Sequence, residues 1–262
     1  MKIQIYQIDA FTRTLFKGNP AAVCPLEDWL EDEILQAIAA ENNLSETAFL
    51  VFRGGHYDLR WFTPKVEVDL CGHATLASAH VVFHFIDPEA TAVRFQTRSG
   101  MLTVEREGDL LAMQFPSRGG TPTDCPESLV RGLGTRPDEV LLSRDYLAVF
   151  RSPEIVKSIK PDMSHLMKLD GLGVIVTAPG QEVDFVSRFF APKAGVPEDP
   201  VTGSAHCTLI PYWARRLGRE ELHALQLSER GGELFCKDLG EVVRIAGYAV
   251  TYLEGSITLL EP

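Results

Sequence analysis

The chain predicts a duplicated fold, two α/β halves built on the same plan, and two observations carry that prediction. Residues 60–65 read Arg-Trp-Phe-Thr-Pro-Lys, and residues 188–193 read Arg-Phe-Phe-Ala-Pro-Lys. Each copy then runs through an acidic loop to a small-residue corner with glycine and on to an apolar segment. After the first copy these are Asp69-Leu70-Cys71-Gly72-His73-Ala74 and Thr75–Phe85. After the second they are Asp199-Pro200-Val201-Thr202-Gly203-Ser204-Ala205-His206 and Cys207–Trp213. The matched order of elements, half a chain apart, makes duplication a better account than chance.

The elements follow in order. Alternating residues predict strands at 3–11 and 21–24. Residues 31–42 predict an amphipathic helix with Ile34, Leu35 and Ile38 on its apolar face. Strands are expected at 46–52, 57–62, 93–97, 102–105 and 111–115, with Ser99-Gly100 as a hairpin turn. Residues 116–126, rich in Pro, Gly, Thr and Ser, predict a linker. Beyond it come a helix at 127–133, strands at 140–142, 147–150, 173–177 and 184–190, a long helix over 204–217, and strand-like segments to Leu260. The first half-domain therefore spans 1–116 with its central helix near 72–85. The second spans 127–262 with its central helix near 204–217, its last strand free to return to the first half.

Composition bounds the function. The 262 residues can bury a core without staples, and 45% hydrophobic with 23% charged residues is ordinary for a globular chain. A formal charge of −11 argues against nucleic acid and anionic membranes as partners. The five cysteines, Cys24, Cys71, Cys125, Cys207 and Cys236, include no C-x-x-C pair, which fits a reducing, cytoplasmic compartment. The start of the chain alternates like a strand rather than a signal peptide. The most apolar stretch, 74–86, is interrupted by His80 and His84 and falls short of a membrane span. The sequon Asn43-Leu44-Ser45 is read as chance. No nucleotide-binding, flavin, metalloprotease or serine-hydrolase motif is present, so no cofactor and no metal are expected. His80 and His84 stand four apart, as metal ligands can, but lack a third ligand at matching spacing and are read as packing residues.

A candidate site comes from physics. Gly72-His73 and Gly203-Ser204 each mark a loop becoming an apolar helix. Helix N-termini leave backbone N–H groups unpaired and carry partial positive charge, and glycine lets a ligand approach. Both mouths suit a small carboxylate even in an acidic protein; both also read as ordinary turns and caps. Glu46 opens the apolar strand Thr47-Ala48-Phe49-Leu50-Val51. A carboxylate turned inward there would suit general acid/base work, and it equally reads as a solvated strand edge. Asp199 precedes Pro200, which holds it extended.

Four blocks settle these alternatives by resemblance. Phe16-Lys17-Gly18-Asn19-Pro20-Ala21-Ala22-Val23, Leu44-Ser45-Glu46-Thr47-Ala48-Phe49, Cys71-Gly72-His73-Ala74-Thr75 and Asp199-Pro200-Val201-Thr202-Gly203-Ser204-Ala205 resemble the signature blocks of the PhzF-like isomerases of phenazine biosynthesis. The resemblance covers most of the chain. It implies an α+β, diaminopimelate-epimerase-like fold, in which two similar halves each wrap a β-sheet around a central helix and the active site lies between them. It implies a cofactor-free isomerase, commonly a homodimer, that moves a proton between carbons of a small carboxylate substrate. Glu46 matches the shuttling acid/base. His73 and Asp199 match its catalytic neighbours, and Gly72, Gly203 and Ser204 the substrate-binding positions. His73, near the positive end of a helix, is expected to be neutral, with Asp199 setting its tautomer. Epimerases of this fold use two cysteines; here those places hold Cys71 and Thr202, and threonine is a poor base. Two other classes stay open: a racemase or epimerase of a small amino acid, and a non-enzymatic binding protein on the same fold.

Overall fold

The computed structural model describes residues 1–259. Leu260, where the strand-like tail was expected to end, lies outside the described residues. The chain divides into two compact units, one of residues 1–114 with 246 onward, the other Phe115–Ile245.

In the first unit the strand Lys2–Ala10 pairs antiparallel with Asn19–Leu26 on one side and with Ala249–Thr258 on the other. Residues beyond 246, counted with the second half-domain in the boundary 127–262, therefore belong to this unit, by the returning strand. Asn19–Leu26 runs parallel to Glu46–Phe52, which pairs antiparallel with Tyr57–Phe62. The sheet continues through Ala92–Thr97 and Gly100–Glu107 to Leu110–Pro116. The central helix Gly72–Val81 is buried from His73 to Val81 and ends in a π-helical turn, Val82–Ile86. Its residues are mostly small or apolar, and the Thr75 and Ser78 hydroxyls donate back to Cys71 O and Ala74 O, so the helix can sit inside. The outer helix Asp32–Asn42 buries Leu35, Ile38 and Ala39 against Phe49 and Phe62. Ile34 does not join them: it is 37% exposed, and Ala39 takes its place on the buried face.

The second unit repeats the order. Glu139–Leu142 pairs antiparallel with Tyr146–Val149, which runs parallel to Val174–Pro179; that strand pairs antiparallel with Phe185–Ala191. Then come the parallel strand Glu221–Gln226 and the antiparallel Gly232–Asp238. Its long helix, Gly203–Leu217, buries Trp213, whose indole N–H donates to Thr177 Oγ1 at 3.0 Å. The outer face is covered by Glu127–Leu133 and by two short helices, Pro153–Ser158 and Met163–Leu166. Sequence periodicity did not predict those two, because a helix of one turn leaves no repeat to read.

The duplicated hexapeptide does the same work in both units. Arg60 clamps Glu67 with two hydrogen bonds of 2.8 Å and lies 5.0 Å from the Phe62 ring. Arg188 clamps Glu198 at 2.7 and 2.9 Å and lies 4.9 Å from the Phe190 ring. A fork-to-fork guanidinium–carboxylate pair fixes geometry as well as charge. Each clamp ties its strand to what was read as an acidic loop. That loop is in fact partly a strand, Glu67–Val68 in one unit and Val196–Asp199 in the other. The expected linker, 116–126, is likewise pinned: Thr121–Pro122 pairs with Glu139–Leu142, and the Ser117 and Arg118 N–H groups donate to Glu241 O and Cys207 O. Prolines favour extended backbone, which an edge strand accepts as readily as a linker does.

Gly18 holds a left-handed φ of +66°, and a Cβ there would lie 2.1 Å from the Ala10 carbonyl oxygen. Gly54, in the same unit, has φ +68° and open space around it. Gly54→Ala should therefore cost about 1 kcal/mol of backbone strain. Gly18→Ala adds a backbone clash and should cost about 3 kcal/mol or more. Urea denaturation of the two variants measures the difference; equal losses would show that the Gly18 turn relaxes freely.

Candidate active site

The first unit assembles its site from three elements. Glu46 is the first residue of the strand Glu46–Phe52, entered directly from the left-handed Asn43 that caps the preceding helix. His73 is the second residue of the central helix, behind the extended Cys71. Asn19 opens the strand Asn19–Leu26 and is fully buried. The His73 ring has a partner on each edge. Its Nε2 lies 3.1 Å from Glu46 Oε2. Its Nδ1 lies 3.2 Å from the Asn19 side-chain amide and 3.5 Å from Cys71 Sγ.

The Glu46–His73 contact is close but out of line. Both atoms are buried, and neither has an aligned hydrogen-bond partner. Catalytic hydrogen bonds are often loose until substrate arrives, and a buried polar pair left in this state is a place where a ligand group can bind.

The charge on His73 departs from expectation. Burial opposes the imidazolium, but the Cys71 sulfur and the Glu46 carboxylate outweigh it and hold the His73 pKa well above the ordinary histidine value. Burial pushes the Cys71 thiol up to about 11, so the sulfur is uncharged at neutral pH. Glu46 is thus the partner that keeps the ring protonated. The expectation of a neutral His73 rested on the helix dipole; a carboxylate at 3.1 Å overrides it. On its other edge, Nδ1 faces Asn19 and Cys71. When both ring nitrogens carry protons, the Asn19 amide must turn its oxygen to Nδ1.

Glu46, Cys71 and His73 offer ligand atoms within 4.8 Å of one another. Their geometry suits proton traffic better than a metal. Glu46 faces one edge of the imidazole and Cys71 the other, and one ion cannot bind both nitrogens of one ring.

In the second unit, Asp199 closes the strand Val196–Asp199 and accepts the Thr202 hydroxyl proton at 2.7 Å. Gln226 braces this corner: it accepts from the Thr202 N–H at 2.9 Å and donates to Asp199 O at 2.8 Å and Thr202 Oγ1 at 3.0 Å. Neither N-cap, Cys71 nor Thr202, closes its helix with a side-chain cap, so the first-turn N–H groups of both helices keep their binding capacity. Ser204, on the first turn, accepts from Arg144 Nη2 at 3.0 Å. Arg144 stands just before its strand Tyr146–Val149, much as Asn19 opens Asn19–Leu26.

The two units differ in one decisive position. Thr47 pairs with Phe62, and Val174 with Phe190, the matching residue of the repeat. The counterpart of Glu46 is therefore Gly173. One helix mouth has a carboxylate and a histidine; the other has a glycine and a serine. Asn19, Arg144 and Gln226 carried no sequence signal of their own, although Asn19 lies within a quoted block. Each acts on a residue far along the chain, which local patterning does not reach.

The folded pKa of His73 lies above its unfolded value. The Glu46 contact therefore stabilises the fold fully below the unfolded value of about 6.5, and that stabilisation fades as pH rises through the folded pKa. Glu46→Gln should cost about 2–3 kcal/mol at about pH 6. The loss should shrink steadily above neutrality. Urea titrations across pH test this; a pH-independent loss would mean that the ring is neutral throughout.

The family model described as "Phenazine biosynthesis-like protein" matches residues 8–255. An uncharacterized isomerase of Pseudomonas aeruginosa is 54% identical over 259 residues, covering 99% of this chain and 100% of its own. The crystal structure of a PhzF-family protein from Enterococcus faecalis superposes with a TM-score of 0.97 at 47% identity, covering 99% of this chain and 100% of that one. A hydroxyproline epimerase from Agrobacterium vitis reaches a TM-score of 0.64 at 11% identity, covering 98% of this chain and 91% of that one, and so shares the α+β fold alone. A match of this extent places the protein in the phenazine biosynthesis-like family.

Proposed function

We propose that this isomerase moves a proton between two carbons of a small carboxylate substrate, with Glu46 as its single acid and base and without a cofactor. The observation that carries the proposal is the asymmetry of the duplicated halves. Glu46 is present at one helix mouth, and Gly173 stands at the equivalent place of the other. A two-base racemase needs a base at each mouth, and Thr202 is no substitute for a thiol.

The steps balance simply. Glu46 acts as the base, with protonated His73 beside it. Glu46 takes a proton from a carbon next to an electron-withdrawing group, and the electron pair of the C–H bond spreads into the substrate as an enolate. Within each unit by itself, the first-turn N–H groups at Gly72 suit the developing charge, and those at Gly203 with the Ser204 hydroxyl suit a substrate carboxylate. Glu46, now a carboxylic acid, returns the proton to a second carbon and is restored. His73 steadies the charge on Glu46 through the cycle, and Asp199, fixed by Thr202 and Gln226, serves as the further polar group of the relay. A homodimer and a cytoplasmic location belong to the same proposal. No helix among the described residues is long and apolar enough to cross a membrane.

A screen of small carboxylates for deuterium uptake in heavy water supplies a turnover substrate. With it, Glu46→Gln should lower kcat by about 10²–10⁴, the usual cost of losing a general acid/base, and Cys71→Ala should keep most of the activity. The reverse order of damage would identify a cysteine racemase and overturn the proposal.

A further inference from the structure

The first unit contains a second hollow, of about 250 Å³, lined among others by Arg13, His84, Arg106, Asp109, Leu111 and Tyr248. It shares no residue with the Glu46–His73 cluster. We propose that it binds a phosphate group, either as free phosphate or as the monoester of a small organic molecule.

Charge is the first argument. In a chain of net charge −11, two guanidinium groups and one carboxylate give this rim a positive balance. Arg13 lies 3.7 Å from Asp109, but both side chains are more than half exposed, at 58% and 78%. A pair so placed in water is weak and leaves the arginine able to engage a ligand. Arg13 is held instead by Tyr248, its guanidinium 3.6 Å from the ring centroid. That stacking orients the planar group while its N–H edge can still donate. Arg106 is anchored by one nitrogen on Pro88 O at 3.1 Å.

The histidines are the second. His80 is buried, and its Nε2 lies 2.9 Å from Thr251 Oγ1. His84 stacks on His80 with ring centroids 4.0 Å apart, and its Nδ1 donates to His80 O at 2.9 Å. That bond places a proton on His84 Nδ1 and leaves Nε2 an acceptor, suited to the P–OH hydrogen of a phosphate monoanion. His84 lies on the π-helical turn Val82–Ile86, where the Asp87 N–H reaches back to Val82 O at 2.7 Å. Such turns recur at functional sites because they re-aim side chains that a regular helix would place elsewhere.

Size sets the ligand class. Sites for drug-sized ligands hold about 300–1,000 Å³, so this hollow accommodates a phosphate with a short organic tail against Leu111, Ala249 and Val250, rather than a nucleotide. Two guanidinium groups suit a phosphate better than a carboxylate, because a phosphate monoester offers three acceptor oxygens and up to two charges.

Calorimetric titration with inorganic phosphate and with glycerol phosphate, at fixed ionic strength, tests the site on the intact protein. Saturable binding is expected, and Arg13→Gln and Arg106→Gln should each weaken it about tenfold, the scale of one charge-assisted hydrogen bond. Tighter binding of the ester marks a tailed ligand; equal affinity marks phosphate itself. Arg13 is exposed, so its replacement should leave the fold intact. No binding, or binding unchanged in both variants, overturns the proposal, the second result placing the anion elsewhere.

Discussion

The 3.1 Å approach of Glu46 to His73 is the contact on which the rest of the first unit's chemistry depends. Neither side chain could hold its position alone. Glu46 is placed by the register of its strand, which pairs parallel with Asn19–Leu26 and antiparallel with Tyr57–Phe62. His73 is placed by the entry of a fully buried helix, so its ring cannot swing into water. Asn19, set at the start of its strand by the left-handed Gly18, closes the far edge of the ring. The pair is thus over-determined by a sheet, a helix and a glycine turn, as a preorganised site requires.

Duplication supplies the frame, and divergence within it supplies the chemistry. The Arg60–Glu67 and Arg188–Glu198 clamps are the same structural device in both halves and carry no sign of specialisation. The helix mouths have moved apart. One has Cys71, His73 and Glu46; the other has Thr202, Ser204 and Gly173, with Arg144 and Gln226 as braces. A single carboxylate with a cationic neighbour suits proton transfer between two carbons on one face of a substrate. The second mouth has a carboxylate too, Asp199, but it is tied to the Thr202 hydroxyl, and no carboxylate stands at the Glu46 position.

Much of this was legible in the residues. The strands Glu46–Phe52 and Tyr57–Phe62 and the helix Glu127–Leu133 have the bounds that alternation, periodicity and turn residues imply. The repeat announced the central helices, since each glycine corner leads into a run of mainly small and apolar residues that buries most of its length. Other features were hidden for physical reasons. The Ile34 side chain fell on the exposed side because a helix's buried stripe is set by the sheet beneath it, not by hydrophobicity alone. The short strands Glu67–Val68 and Val196–Asp199 exist because of their arginine clamps, whose partners are set by tertiary folding. The charge on His73 followed from a carboxylate 27 positions away in the chain, a distance over which local reading has no purchase. Asn19, Arg144 and Gln226 were missed for the same reason.

The proposed chemistry turns on one group both taking and returning the proton. Its most direct test is a substrate carrying deuterium at the carbon that loses hydrogen, converted in ordinary water and stopped within the first turnover. One carboxyl that keeps its proton while the substrate turns from one carbon to the next should carry part of the label across, and mass spectrometry should find deuterium at the new carbon in a measurable fraction of product. Product free of label from the first turnover, with all the deuterium in water, would contradict a single shuttling Glu46 and point to separate groups for removal and return.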